Sequence, residues 1–334
     1  MNRHRPRPTG AIAVLASGAA AAADRVLIAG SRRSAAWALS PSASWPTRRH
    51  RADLLTWAAP PASGVRVERG ALAGRPAERY EPSRSRRPGT VLYLHGGGFT
   101  VGSPRGHRAM VSRFAAAAGM VVHSLDYRLA PEHPFPAAQD DVWEAYLEVR
   151  EAEVARARAA GEEPVVVLAG DSAGGALSLT ASIRAITRAM PGPSALVLVC
   201  PAADMRPEAG AQRRFGPREP LLTAELMDVF ADSYAAGHDR SDPELSPLAA
   251  SDDVLAQLPP IVLDSCGDDP LRWDAEQLAA RLGPLGVPVD HVQHARRFHD
   301  FHLMAGLVPP AGRALDALGV RLRAALAAPI GEAR

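Results

Sequence analysis

Apolar residues in this chain gather in short unbroken runs, separated by longer stretches where apolar positions recur at helical spacing. The runs at 90–95, 120–125, 165–169, 194–200, 260–266 and 287–292 predict strands. A run such as Ala195-Leu196-Val197-Leu198-Val199 shows no polar alternation, so both its faces must be buried, as in a parallel sheet. Between the runs, 106–118, 137–160, 173–190, 223–236, 272–284 and 311–327 predict helices. Alternation of this kind predicts an α/β chain with a mostly parallel, doubly wound sheet. Two shorter segments, Gly64-Val65-Arg66-Val67-Glu68 and Ala77-Glu78-Arg79-Tyr80, predict an antiparallel opening to it.

Two regions break the rhythm. Residues 1–62 are rich in arginine, alanine and proline, with helical patches near 20–38 and 47–58. The stretch 201–250 carries Pro207, Gly210, Gly216, Pro217 and Pro220 around a helix-like Leu222 to Ala236, and is too long for an ordinary connection. The expected division is an N-terminal cap segment, 1–62, and a catalytic domain, 63–334, with a lid insertion at about 201–250.

Composition narrows the chemistry. The chain has 334 residues, enough for one large domain with a cap, and a net charge of +2 that gives no reason to expect a nucleic-acid partner. Every basic residue is arginine. The absence of lysine excludes a P-loop lysine, a Schiff-base lysine and a Ser-x-x-Lys site. Cys200 and Cys266 each end an apolar run and are expected as buried free thiols. No stretch approaches the ~20 apolar residues that span a membrane, so stable membrane insertion is not expected. Arg3, Arg5 and Arg7 before Ala11-Ile12-Ala13-Val14-Leu15-Ala16 read either as a signal-like start or as the beginning of a cap helix. The expectation is a cytoplasmic protein, with export as the alternative.

Gly170-Asp171-Ser172-Ala173-Gly174-Gly175 follows the run Val165 to Ala169 directly. A Gly-x-Ser-x-Gly at that place predicts a sharp strand-to-helix turn that lifts a serine hydroxyl to the sheet edge. Upstream, His95-Gly96-Gly97-Gly98 follows the strand Val91-Leu92-Tyr93-Leu94 and leaves bare backbone N–H groups where an oxyanion would form. The pair, in this order, points to serine-dependent acyl transfer. A serine needs a base, and the base needs an orienting acid; here the chain order should be serine, acid, histidine. Asp269 lies past the run that ends in Cys266, with Asp268 and Asp274 as competitors. His299 sits between Phe298 and Asp300-Phe301 after the last strand, ahead of the rivals His238, His291, His294 and His302. Asp171, beside the serine, is expected to be structural. His299-x-x-His302 has no third residue at zinc-like spacing, so no metal is expected.

These residues resemble the hormone-sensitive-lipase-like esterases, a group of α/β-hydrolases. The likeness is carried by His95-Gly96-Gly97-Gly98-Phe99, the segment Asp126 to Pro136, the Ser172 motif, Leu245-Ser246-Pro247-Leu248, Asp269-Pro270-Leu271 and His299-Asp300-Phe301. It spans residues 90 to about 305. The resemblance implies an α/β-hydrolase fold with a helical cap. It also implies Ser172 as nucleophile, Asp269 as acid, His299 as base, and an oxyanion hole from the N–H groups of Gly97, Gly98 and Ala173. The segment Asp126 to Glu132 is implied to be scaffolding. The family commonly shows His-Gly-Phe at the base, and this chain carries Asp300 instead of that glycine. The expected activity is a serine carboxylesterase acting on a small-molecule ester of short to medium acyl chain, with no cofactor. Lactone opening or deacetylation by the same residues, and a non-catalytic binding protein of the same fold, are the alternatives; a homodimer is left open. An ordinary histidine pKa of about 6.5 predicts activity that rises through neutrality.

Overall fold

In the computed structural model, which describes residues 28–57, 59–84 and 87–328, the apolar runs form the inner strands of one eight-stranded sheet. The signal-like start and the first part of the 20–38 patch lie outside the described residues. The strands are β1 (Val65–Leu72), β2 (Arg75–Pro82), β3 (Thr90–Leu94), β4 (Val121–Leu125), β5 (Val166–Asp171), β6 (Ala195–Val199), β7 (Ile261–Cys266) and β8 (Val289–His294). Their order is β1-β2-β4-β3-β5-β6-β7-β8. The β1–β2 and β2–β4 pairs are antiparallel, and every pair from β4 to β8 is parallel. The chain leaves β3 toward β4 on one side and returns to β5 on the other, so β3 and β5 flank the switch that opens a crevice at the strands' C-terminal ends.

Burial follows position in the sheet. Every residue of β5, β6 and β7 is buried, whereas the edge strands β1 and β8 alternate toward solvent. Alternate residues of the inner strands feed two separate cores. Leu92, Leu94, Leu168, Leu196 and Leu198 pack with α4 (Ala137–Ala160), α5 (Ala173–Thr187) and α9 (Arg272–Leu282). Val91, Tyr93, Val167, Val197 and Val199 pack with α3 (Arg108–Ala118) and α10 (Pro309–Ala327). This is the two-sided burial that unbroken apolar strands require.

Most elements begin or end one to three residues from the sequence reading, and two of these differences lie beside prolines. β8 begins at Val289, two residues late, because Pro288 has no N–H for the ladder; its carbonyl instead accepts the Ile261 N–H at 2.9 Å. α5 stops at Thr187, since Pro191 disfavours helical geometry in the residue before it.

The irregular segments gather over the crevice. A helix over 28–38 (α1) and α2 (Trp45–Trp57) precede the sheet. Arg49 of α2 donates to the carbonyls of Thr100 (2.8 Å) and Ala130 (2.9 Å), which fixes α2 on the loop after β3. The 201–250 stretch contains α6 (Pro207–Gln212) and α7 (Ala224–Ala235). Thr223 caps α7 by accepting the Leu226 N–H at 3.2 Å. A short α8 (Asp252–Leu255) then leads into β7. Among the described residues no helix is long and apolar enough to cross a membrane.

α10 crosses α3 closely at Gly319, where an added Cβ would lie 2.6 Å from the Ala117 backbone carbon. Alanine gains up to about 1 kcal/mol over glycine in helix propensity. Overpacking against backbone costs about 1–3 kcal/mol. Gly319→Ala is therefore expected to lower the midpoint of chemical unfolding; a raised midpoint would show that the two helices have room to part.

Candidate active site

β5 ends at Asp171 and α5 begins at Ala173, so Ser172 makes the whole turn with φ 51° and ψ −116°. A non-glycine residue held at positive φ costs on the order of 1–3 kcal/mol and persists only where its surroundings impose it. Here the surroundings are tight. The Ser172 N–H donates to Val199 O of β6 at 2.8 Å. A Cβ on Gly174 would lie 1.8 Å from Leu94 O, so the first turn of α5 rests directly on the end of β3.

The histidine and the acid arrive from the far side of the sheet. Asp269 follows β7, and His299 follows β8. His299 Nδ1 lies 2.9 Å from Asp269 Oδ2, and His299 Nε2 lies 3.0 Å from Ser172 Oγ. Asp269 is itself held by the Leu271 N–H, which donates to Oδ1 at 2.8 Å. The three residues predicted from the sequence thus meet in one hydrogen-bonded line. Burial pulls the His299 pKa down, but the Asp269 and Asp300 carboxylates outweigh it and push it well above the ordinary value.

The rivals serve other partners. His294 and His302 both face Asp264, at 2.7 and 3.3 Å. His291 meets Ser265 Oγ at 2.8 Å, and His238 packs edge-on against Phe135. Asp274 is paired with Arg213 at 2.7 Å, and Asp268 lies 3.6 Å from Arg218. His299 and His302 therefore serve different carboxylates.

The glycine loop sits opposite. Gly97 has φ 117° and a Cβ there would lie 2.2 Å from Val101 O, so only glycine fits. The loop closes on Gly97 O, which accepts the N–H groups of Thr100 and Val101 at 3.1 and 3.0 Å. Among the described residues no backbone acceptor takes the N–H of Gly97, Gly98 or Ala173.

Asp171 ties this loop to the serine turn. Its buried carboxylate accepts the Tyr93 hydroxyl (2.6 Å) and the Gly96 N–H (3.0 Å), and lies 3.3 Å from His107 Nε2. Burial opposes charge on both partners, yet Asp171 holds the His107 imidazole up at about 9, and His107 holds Asp171 below its ordinary value. The pair is a buried ion pair, which agrees with the structural role expected of Asp171. Tyr127 adds a second brace, donating to His95 O at 2.6 Å and stacking on the His95 ring, while Arg128 pairs with Asp141 at 2.7 Å. Tyr127 and Arg128 thus brace neighbouring loops, and among the described residues the Asp126 to Glu132 segment does not line the pocket at Ser172.

Sequence reasoning missed two contributors. His107 lies ahead of α3 with no motif to mark it. Glu219, in the irregular stretch before α7, accepts the backbone N–H of His299 at 2.8 Å and those of Leu221 and Leu222 at 2.7 and 3.0 Å. Cys200 and Cys266 are free and buried, with sulfurs 3.5 Å apart.

A pocket of about 870 Å³ opens at Ser172 and His299, lined by Gly97 and Gly98 at its base and by apolar groups such as Leu222, Met227 and Phe230. This is the size range of small-molecule sites. Residues of α1, α2, α6 and α7 border it.

Comparison with known proteins agrees with this geometry. Residues 91–303 match the family described as alpha/beta hydrolase fold. The chain is 36% identical over 236 residues to an acetyl-hydrolase of Streptomyces hygroscopicus, covering 71% of this chain and 76% of that one. It is 35% identical over 244 residues to carboxylesterase NlhH of Mycobacterium tuberculosis, covering 70% and 74%. A crystal structure of an esterase from the bacterial hormone-sensitive lipase family superposes with a TM-score of 0.78 at 32% identity, over 91% of this chain and 98% of that one. The sheet order, the serine turn and these relatives together make the chain a member of the α/β-hydrolase family, among the bacterial hormone-sensitive-lipase-like esterases, and a carboxylic ester hydrolase.

Proposed function

We propose that the protein hydrolyses small carboxylic esters of short to medium acyl chain through an acyl-enzyme on Ser172. The observation that carries the reading is the line Asp269–His299–Ser172, with links of 2.9 and 3.0 Å, at the wall of a largely apolar pocket. His299 Nε2 takes the hydroxyl proton as Ser172 Oγ attacks the ester carbonyl. Asp269 holds the imidazole with its proton on Nδ1 and stabilises the imidazolium. The N–H groups of Gly97, Gly98 and Ala173 receive the developing oxyanion. His299 then returns the proton to the leaving alcohol, and water attacks the acyl-enzyme with His299 again as base. No step calls for a cofactor.

The stretches 1–62 and 201–250 act in this reading as the cap. The acyl group would lie among Leu222, Met227 and Phe230, a pocket of about 870 Å³ that suits more than an acetyl group. The proposed compartment is the cytoplasm, where Cys200 and Cys266 would remain free thiols.

With p-nitrophenyl esters, wild-type protein should turn over short and medium acyl chains and fall off at hexadecanoyl. Ser172→Ala should lose about 10⁴-fold or more in kcat. A rate that keeps rising into long acyl chains would overturn the substrate class, and an unchanged rate for Ser172→Ala would overturn the nucleophile. Gly97→Ala keeps its N–H, but its Cβ would meet Val101 O, so it should displace the loop's donors and cost about 10²–10³ in kcat; a rise in KM alone would assign the loop to ground-state binding. The acid limb of kcat/KM should lie on the alkaline side of about 6.5, because the neutral base is lost as pH falls through a raised His299 pKa. A limb at or below that value, seen in steady-state assays, would contradict the charge environment of His299.

A further inference from the structure

We infer that Asp300 is a positioning residue that shares one proton with His299 at Nε2, and so keeps the base from Ser172 until that proton leaves. The inference rests on Ser172 and His299 being nucleophile and base.

The geometry is a three-way meeting. His299 Nε2 lies 3.0 Å from Ser172 Oγ and also 3.0 Å from Asp300 Oδ2. With Nδ1–H donated to Asp269, a neutral imidazole has only a lone pair at Nε2. An ionised Asp300 facing that lone pair would set two acceptors against each other. The contact is favourable only with one proton between the two atoms, written either as imidazolium with carboxylate or as imidazole with carboxylic acid. The count is the same in both forms. Before Nε2 can take the proton of Ser172, the shared proton must pass to solvent or Asp300 must turn away.

Nothing else satisfies this carboxyl. Asp300 is 4% exposed, and its Oδ1 is buried with no partner among the described residues. Its backbone stands at φ 48°, the left-handed region where the family's glycine is at ease and aspartate is tolerated. Burial raises its carboxyl above the ordinary carboxylate value against the pull of His299, which favours keeping a proton between the two.

The surrounding charges favour the same state. Asp269 faces His299 from the loop after β7, and Glu219 faces it from the stretch before α7. From the end of β5, Asp171 faces Asp300, but it is already paired with His107, which lies ahead of α3 and feels both carboxylates. Tyr93 of β3, Cys200 and Cys266 are neutral groups pushed upward by burial. Arg213 also acts on Asp269 but is already paired with Asp274, and of the carboxylates named Asp300 is the one beside Nε2.

The test is the pH profile of kcat/KM for a p-nitrophenyl ester. Asp300→Gly adopts φ 48° freely, and its acid limb should move at least about one unit lower. At one unit below the wild-type limb, activity relative to plateau should then rise about fivefold or more. Asp300→Glu, which restores a carboxyl, should bring the limb back toward the wild-type position. Asp300→Asn, of nearly equal shape, should also move the limb down but with a lower plateau, because its amide can donate to Nε2 in competition with the serine. It carries the test if the glycine variant does not fold. A residue of merely structural importance would lower the plateau at every pH and leave the limb where it is; that result, with Ser172→Ala inactive, overturns the proposal for Asp300 alone. A Ser172→Ala protein with wild-type rate would instead overturn the underlying reading.

Discussion

The single positive-φ residue between β5 and α5 is the constraint on which the site depends. Ser172 is held by its N–H bond to β6 on one side, and two residues on Gly174 packs so close to β3 that a side chain there would meet Leu94 O. That packing supplies the compensation for a backbone that costs on the order of 1–3 kcal/mol. The strain is shared with the glycine loop, because Asp171 immediately before Ser172 holds the Gly96 N–H. A movement of the nucleophile is therefore also a movement of the proposed oxyanion donors, and the two halves of the site are registered through one buried carboxylate.

Much of this was readable from the chain. Unbroken apolar runs identify inner parallel strands because burial on both faces leaves no room for alternation, and β5, β6 and β7 are buried at every residue. Edges were harder: β8 is half exposed, and a proline moved its start by two residues. The serine, acid and histidine carry strong local signals, since each stands just past a strand end. His107 and Glu219 carry none. Their roles come from three-dimensional proximity, His107 to Asp171 and Glu219 to the His299 backbone, and no spacing along the chain encodes either meeting. Asp300 lies between these cases. The substitution is visible as a departure from His-Gly-Phe, but its contact with Nε2 depends on the left-handed backbone of the loop.

The two stretches that read least clearly are the ones that border the pocket. Their helices hold few of the sheet's regular contacts and are fastened instead by scattered polar anchors, among them Arg49 to the loop after β3, Arg213 to Asp274 and Arg184 of α5 to Glu244. Specific side-chain anchors of this kind leave no periodic trace. A catalytic edge set by backbone geometry and a binding surface set by scattered anchors are different kinds of information, and a sequence displays the first far more openly.

Glu219 adds a limit on how such a protein can diversify. The carboxylate that caps Leu221 and Leu222 at the pocket wall is also the acceptor for the His299 backbone. Wall and base are therefore not separable modules. Insertions or exchanges in the stretch before α7 that would reshape the acyl surface also pull on the imidazole, so new substrate preferences are more accessible through α1, α2 and the far part of α7, which touch the pocket without holding the base.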